Sequence, residues 1–146
     1  MIDSSILLSL ALGAAAVAAG PILGARSASA HSRLAVAAAV FHPLLVVGLF
    51  YSLALHMHRR LGGWPERIGD AGFPDDLVVH ANIAQCAFGA LLFGTLLVLP
   101  LAFVFCACVP GTRSSLRYLG IYGLLSVVAL GITQLAPAPF VYWWWD

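Results

Sequence analysis

Charge is what this sequence has least of. Of its 146 residues, 9% are charged and 62% are hydrophobic, and the mean hydropathy is +0.97. A water-soluble domain carries roughly 25% charged residues, so this chain has too few to cover a surface that faces water. Lipid is therefore the expected solvent, and the predicted class is an all-α integral membrane protein.

Lysine is absent, and all seven positive charges are arginines. The formal net charge of +1 is too small for the basic field that a nucleic-acid-binding protein needs, so no nucleic acid is expected as a partner. The cysteines Cys86, Cys106 and Cys108 lie in apolar runs without C-x-x-C spacing. We interpret them as small packing residues.

Motifs of common enzymes are missing as well. The sequence has no G-x-S-x-G, no H-E-x-x-H and no glycine-rich loop followed by lysine. No aspartate or glutamate lies in the interior of an apolar run, where a proton or ion relay would place one. A non-catalytic protein is expected.

Long apolar runs, by contrast, are abundant. About 20 residues of helix cross a hydrocarbon core of roughly 30 Å, and four runs are long enough, at residues 5–25, 34–58, 75–109 and 116–136. They predict one transmembrane domain over residues 1–146, an antiparallel up-down four-helix bundle with a polar loop at 59–74. The third run exceeds the bilayer thickness and must tilt, kink at Pro100 or project past the surface.

The first run could be taken for a cleaved secretory signal, because Ala28-Ser29-Ala30 has the form of a cleavage site. The first five residues carry no positive charge, however, and the run is longer than the apolar part of a signal peptide. We interpret it as a retained helix.

Arginine positions predict the orientation. Arg26, Arg33, Arg113 and Arg117 fall on one side without an acid, whereas the other side carries three arginines and all six acids. Because positive loops stay inside, both termini and loop 59–74 are expected outside the cytoplasm, in a membrane such as the bacterial inner membrane. The aromatic run 140–145 is predicted to anchor at the outer interface or, alternatively, to pack on a partner protein.

His42 is the histidine deepest inside a predicted span, next to Pro43. One interpretation is structural: the imidazole bonds a carbonyl that the proline frees, or a neighbouring helix. The alternative is functional, with His42 as an axial ligand or as a proton-carrying group in a small transporter or channel.

His56, His58 and His80 form a second group. The second span ends at His56 and His58, on the side where the third span begins near His80. Adjacent antiparallel helices would therefore place these imidazoles at similar depth. Two imidazoles from facing helices are what a b-type haem needs, with Arg59 and Arg60 placed to meet its propionates.

The spacing of His42 and His56, which are 14 residues apart, puts both on one helix face. It resembles the histidine pair on one helix of di-haem cytochrome b proteins. The residue 14 beyond His80 is Gly94, so the resemblance covers one helix and implies at most one haem.

A metal site is the alternative for the same region. His56 and His80 could bind zinc, iron or copper together with Asp75 or Asp76, because imidazole and carboxylate suit these metals.

Small residues predict where helices approach each other closely. They are Ala16, Gly20 and Gly24 in the first span, Ala90 and Gly94 in the third, and Gly120, Gly123 and Gly131 in the fourth. The leading hypothesis is a small accessory or assembly subunit of a larger membrane complex, with the bilayer and other membrane subunits or a second copy as partners. A one-haem electron carrier and a small transporter or channel are the alternatives.

Overall fold

The computed structural model describes residues 30–64 and 73–146. The predicted span 5–25 and part of loop 59–74 lie outside these residues. Every regular element in the described part is a helix, which confirms the predicted all-α class.

Helix α1 is Ala30–Leu61 and contains Pro43. It begins four residues before the predicted 34–58 and ends three after it. His58, Arg59 and Arg60 lie in its last turn, where positive charge favours the negative end of the helix dipole. Gly62 follows with a φ of 70°, the left-handed conformation in which glycine commonly terminates helices.

Helix α2, Asp75–Phe93, continues through a π-helical turn, Gly94–Val98, into helix α3, Leu99–Cys108. This confirms the predicted 75–109 as one helical run. Asp75 and Asp76 lie in the first turn, where carboxylates favour the positive end of the dipole. The run ends where Val109 becomes extended before Pro110, as steric crowding by a proline favours.

The π turn lies just before Pro100. Leu99 donates its N–H to the Gly94 carbonyl, five residues back instead of the four of an α-helix. Pro100 has no N–H to donate and would leave a carbonyl of the preceding turn without its usual partner. The wider turn is thus the local adjustment of a helix that continues past a proline.

A short 3-10 helix, Pro110–Ser115, leads into helix α4, Leu116–Thr133. The predicted 116–136 was too long, because Pro137 cannot donate to a helix and restricts the residue before it. A second helix, α5, follows at Ala138–Trp145, where the sequence predicted only an anchor.

The helices α1, α2 and α4 pack side by side, with α1 against both others and α3 against α4. Hydrogen bonds give the directions: His42 meets Tyr122 and Tyr51 meets Ile132 between α1 and α4, which run parallel. Arg60 meets Asp76 between α1 and α2, which run antiparallel. We call the end with the last turn of α1, the first turn of α2 and α5 the loop end. The end with Arg33, Arg113 and Arg117 is the arginine end.

The buried core lies mostly toward the loop end. Its larger cluster contains Phe50, Leu53, Ala54, Met57, Leu77, Ala84, Ala136 and Phe140, and a smaller one contains Val46, Phe88, Leu91 and Ala129.

Within residues 30–64 and 73–146, three helical runs are long and apolar enough to cross a membrane: Arg33–Leu61, Asp75–Cys108 and Pro110–Thr133.

Close approach through small residues is confirmed at two predicted positions. A Cβ on Gly123 would lie 2.7 Å from Leu99 Cδ2, and one on Gly94 would lie 3.0 Å from the Tyr122 hydroxyl. Gly120 and Gly131 face open space. The contact that depends on glycine is therefore that of α4 with the π turn and α3.

Candidate functional site

His56 and His80 meet at the loop end. The two Nδ1 atoms are 3.0 Å apart, and the rings are tilted by 37° with centroids 5.3 Å apart. His56 lies near the end of α1 and His80 in the second turn of α2. The prediction that antiparallel neighbours bring these imidazoles to the same depth is confirmed for this pair.

The pair belongs to a longer chain of polar contacts, which we call the histidine network: Ser52, His80, His56, Asp76 and Arg60. On one side, His80 Nε2 lies 3.0 Å from Ser52 Oγ. On the other, His56 Nε2 lies 3.4 Å from Asp76 Oδ2, which also accepts from Arg60 Nε at 3.2 Å. The network thus ties α1 to α2 over about two helical turns.

His58 lies away from this network. Its ring packs against Trp64 with centroids 4.6 Å apart, as expected when two residues of advance along a helix turn the side chain to the opposite side. Arg59 is exposed. The structure therefore separates His58 from the other two members of the predicted group.

The predicted haem stays a prediction. In a bis-histidine haem the iron lies between the two ligating nitrogens, whereas here the facing nitrogens are within hydrogen-bond distance. Arg60, expected to meet a propionate, is paired with Asp76 instead. A haem would require the two imidazoles to separate.

The predicted metal site also stays a prediction, with its members in changed positions. Within the two described stretches, no group of three or more His, Cys, Asp and Glu side chains is arranged around one point. Asp75 is exposed, and Asp76 contacts the nitrogen of His56 that faces away from His80. Neither carboxylate joins the two histidines at a common centre.

His42 pairs with a tyrosine farther toward the arginine end. Its Nδ1 lies 3.1 Å from the Tyr122 hydroxyl, and the two rings are nearly parallel with centroids 6.0 Å apart. This is the contact with a neighbouring helix that the structural interpretation of His42 expected. The functional interpretation, in a transporter or channel, remains a prediction.

The π turn borders this pair. The Tyr122 hydroxyl lies against Gly94, and the hydroxyl of the next residue, Thr95, is buried without a hydrogen-bond partner in the described part of the chain. The pair and the turn thus make a second polar spot among apolar helices.

An aromatic cluster covers the loop end, and sequence reasoning missed it. Phe140 is fully buried and contacts Phe50 at 5.0 Å between ring centroids, and Trp144 contacts both Phe50 and Phe88. Trp143 packs against Phe73, before α2. The spacing of Phe140 and Trp144, four residues on one helix face, was the signal available for this packing.

The described fold is thus a set of apolar helices with a polar network at one end. No protein-family model, no curated protein and no solved structure matches the chain.

Proposed function

We propose that this chain is a non-catalytic accessory or assembly subunit embedded in a membrane, which binds other membrane-protein subunits. The proposal includes four spans, with residues 5–25 supplying the one that lies outside the described residues. Its first support is the presence of three helical runs of sufficient length and apolarity. An antiparallel neighbour of α1 at 5–25 would complete an up-down bundle of four.

The main support for the proposal is the small buried fraction of one helical run. In Asp75–Cys108, 11% of the most apolar stretch is buried, against 22% for each of the other two runs. In α3 the one buried residue is Cys106. The exposed large apolar side chains between residues 93 and 109 are Phe93, Leu96, Leu97, Val98, Leu101, Phe103, Val104, Phe105 and Val109.

The length of this helical run indicates that a protein, and not lipid alone, covers part of its surface. The run Asp75–Cys108 has 34 residues and measures about 51 Å at 1.5 Å per residue, about 20 Å more than the hydrocarbon core. At the loop end α5 and the histidine network cover the excess. At the arginine end the excess is apolar and uncovered, so a neighbouring subunit would shield whatever part of α3 leaves the lipid.

Photo-crosslinking in native membranes tests this directly. A photoreactive amino acid at Leu101 or Phe105, both on α3 and exposed, should give a crosslink to one distinct protein. Val127 is the control, because it is a similarly exposed apolar residue on α4. Crosslinks at all three positions to lipid alone, or at α3 to residues 5–25 of the same chain, would contradict a subunit role.

The orientation we propose places both termini and loop 59–74 outside the cytoplasm of a bacterial cell. In the described residues Arg33, Arg113 and Arg117 lie at the arginine end, and Arg59 and Arg60 lie at the loop end. This excess of one arginine is in the direction of the positive-inside rule. Alkaline phosphatase fused after Asp146 should be active, since the enzyme folds only outside the cytoplasm. If that fusion is inactive and a fusion of green fluorescent protein at the same position is fluorescent, the orientation is the reverse.

A further inference from the structure

The contact between the two imidazoles holds one hydrogen. The Nδ1 atoms of His56 and His80 are 3.0 Å apart and the ring centroids 5.3 Å apart, so the two nitrogens lie on the line that joins the rings. This is the geometry of an N–H···N hydrogen bond. Two hydrogens at this distance would collide, and two lone pairs would repel each other, so one nitrogen donates and the other accepts.

The other nitrogen of His56 carries a hydrogen as well. Asp76 Oδ2 lies 3.4 Å from His56 Nε2 and accepts a hydrogen bond from Arg60 Nε at 3.2 Å. An ionised carboxylate accepts hydrogen bonds and donates none. A lone pair on His56 Nε2 would face this negative charge, so the nitrogen is protonated whatever the charge of the pair.

The other nitrogen of His80 can be satisfied in two ways, because Ser52 has one hydroxyl hydrogen and two partners. Ser52 Oγ lies 2.9 Å from the Leu49 carbonyl oxygen and 3.0 Å from His80 Nε2. If the hydroxyl donates to His80, Nε2 presents a lone pair. If it donates to Leu49, its oxygen accepts from a protonated Nε2.

We propose that the pair of His56 and His80 is a binding site for one proton. Two neutral imidazoles have two ring hydrogens, which lie on His56 Nε2 and in the contact between the rings. A third hydrogen occupies His80 Nε2 and gives the pair a charge of +1, whereas a fourth would have to enter the contact and break it. Uptake of one proton therefore needs only the rotation of the Ser52 hydroxyl, and it changes the charge of the loop end by one.

The surroundings favour the charged form and give it access to water. The Asp76 carboxylate attracts a cationic pair, and Arg60, bound to the same oxygen, opposes it in part. The side chain of His56 is 30% exposed and that of Asp76 49% exposed, so a proton can enter from the loop end. Other titratable side chains of α1, α2, α4 and α5 are engaged elsewhere, at the arginine end or exposed: His58 on Trp64, Tyr51 on the Ile132 carbonyl, His42 on Tyr122, Arg33, Arg113, Arg117 and Tyr118 at the arginine end, and Arg59, Asp75, Cys86, Tyr142 and, after α5, Asp146 at exposed positions.

Nuclear magnetic resonance of the full chain tests the site. The protein is labelled with ¹⁵N at histidine, purified in mild detergent without a polyhistidine tag, and titrated between about pH 8 and 5, where imidazoles change charge. The ¹⁵N shift of His80 Nε2 should change from that of a lone-pair nitrogen to that of an N–H, while His56 Nε2 keeps the shift of an N–H throughout. A coupling through the hydrogen bond should join the two Nδ1 atoms at both ends of the titration.

His58 is the control within the same spectra, because it lies two residues from His56 and packs on Trp64 instead. It should titrate without coupling to another histidine. An unchanged His80 Nε2 over this range overturns the proposal, and so does a coupling between the Nδ1 atoms that is absent or disappears when the proton binds. These readings come from the wild-type chain and do not depend on the folding of a variant.

Removing a charge gives a second, graded readout. Asp76→Asn takes away the negative charge beside His56 and should weaken proton binding by roughly 3- to 10-fold, so that His80 Nε2 is half protonated at a lower pH. Asp75→Asn is the matched control, because it removes the same charge from the exposed neighbouring position, and it should leave the titration nearly unchanged. Equal effects of the two substitutions would contradict a proton site that includes the contact with Asp76.

Discussion

The two ends of this molecule are built on different principles. At the loop end, α1, α2 and α5 bury a cluster of large apolar side chains and join through the histidine network. At the arginine end, α3 buries one residue, Cys106, and presents its apolar side chains outward. The same apolar composition therefore gives a packed interior at one end and an exposed apolar surface at the other.

The difference shows in which part of an apolar chain specific packing and hydrogen bonds are required. In an apolar solvent, exposed leucine and phenylalanine cost little, because lipid tails are as apolar as the side chains themselves. Polar groups require partners wherever water is scarce. The loop end holds the histidine network, so packing and hydrogen bonding are concentrated there.

Truncating one buried aromatic should show the largest effect of this contrast. Phe140 is 0% exposed and touches Phe50, Trp64 and Trp144. Phe140→Ala should lower the free energy of unfolding by about 3 kcal/mol, because it removes the ring at the centre of the cluster. Unfolding by a denaturing detergent in mixed micelles, followed by circular dichroism, measures it.

Leu101→Ala is the matched substitution at the arginine end, where the side chain is 72% exposed. Its effect should stay within about 0.5 kcal/mol, as for exposed positions generally. Equal losses at both positions would remove the distinction between a packed and an open end.

The sequence could predict the helical runs better than their packing. The start at Asp75 and the end before Pro110 follow from residues whose backbone preferences are local: a proline, two carboxylates and a further proline. The predicted end of α4 lies three residues beyond the observed one. Leu135 and Ala136 are apolar like the rest of the span, but Pro137 restricts the backbone before it.

Side-chain partners were harder to predict, for a physical reason. Helix direction brought His56 and His80 to one depth, so their meeting followed from topology. Whether His58 or His56 faces α2 depends on helix rotation, and a nearly uniform apolar surface gives rotation no signal. The same uniformity hid the docking of Phe140 and Trp144, because every face of α1 and α2 could have received them.

A bulky residue at a glycine contact should have an intermediate effect. Gly123→Leu on α4 would push against Leu99, whose Cδ2 already lies 2.7 Å from a Cβ at that position. Gly120→Leu, on the same helix, faces open space. Both gain about the same helix propensity, so the difference between them, about 2 kcal/mol of unfolding free energy, reports overpacking alone.

The smaller substitution Gly123→Ala tests whether the side chain at this contact can move to make room. The atom it meets is the tip of a flexible leucine, so Leu99 can rotate away and the variant should unfold close to the wild type. If Gly123→Leu and Gly120→Leu have the same free energy of unfolding, α3 does not pack closely on α4. The arginine end is then less packed than the structure indicates.

Among the side-chain contacts between helices, the smallest effect is expected where the two ends meet, at His42 and Tyr122. Tyr122→Phe removes the hydroxyl that lies 3.1 Å from His42 Nδ1 and keeps the ring that stacks on the imidazole. Hydrogen bonds between helices in a membrane protein average about 0.6 kcal/mol, and the variant should lose about that much unfolding free energy. Tyr142→Phe, at a tyrosine that is 72% exposed, should lose nothing measurable. A loss above about 2 kcal/mol for Tyr122→Phe, beyond what such bonds reach, would mean that this pair, and not the loop end, holds α1 against α4.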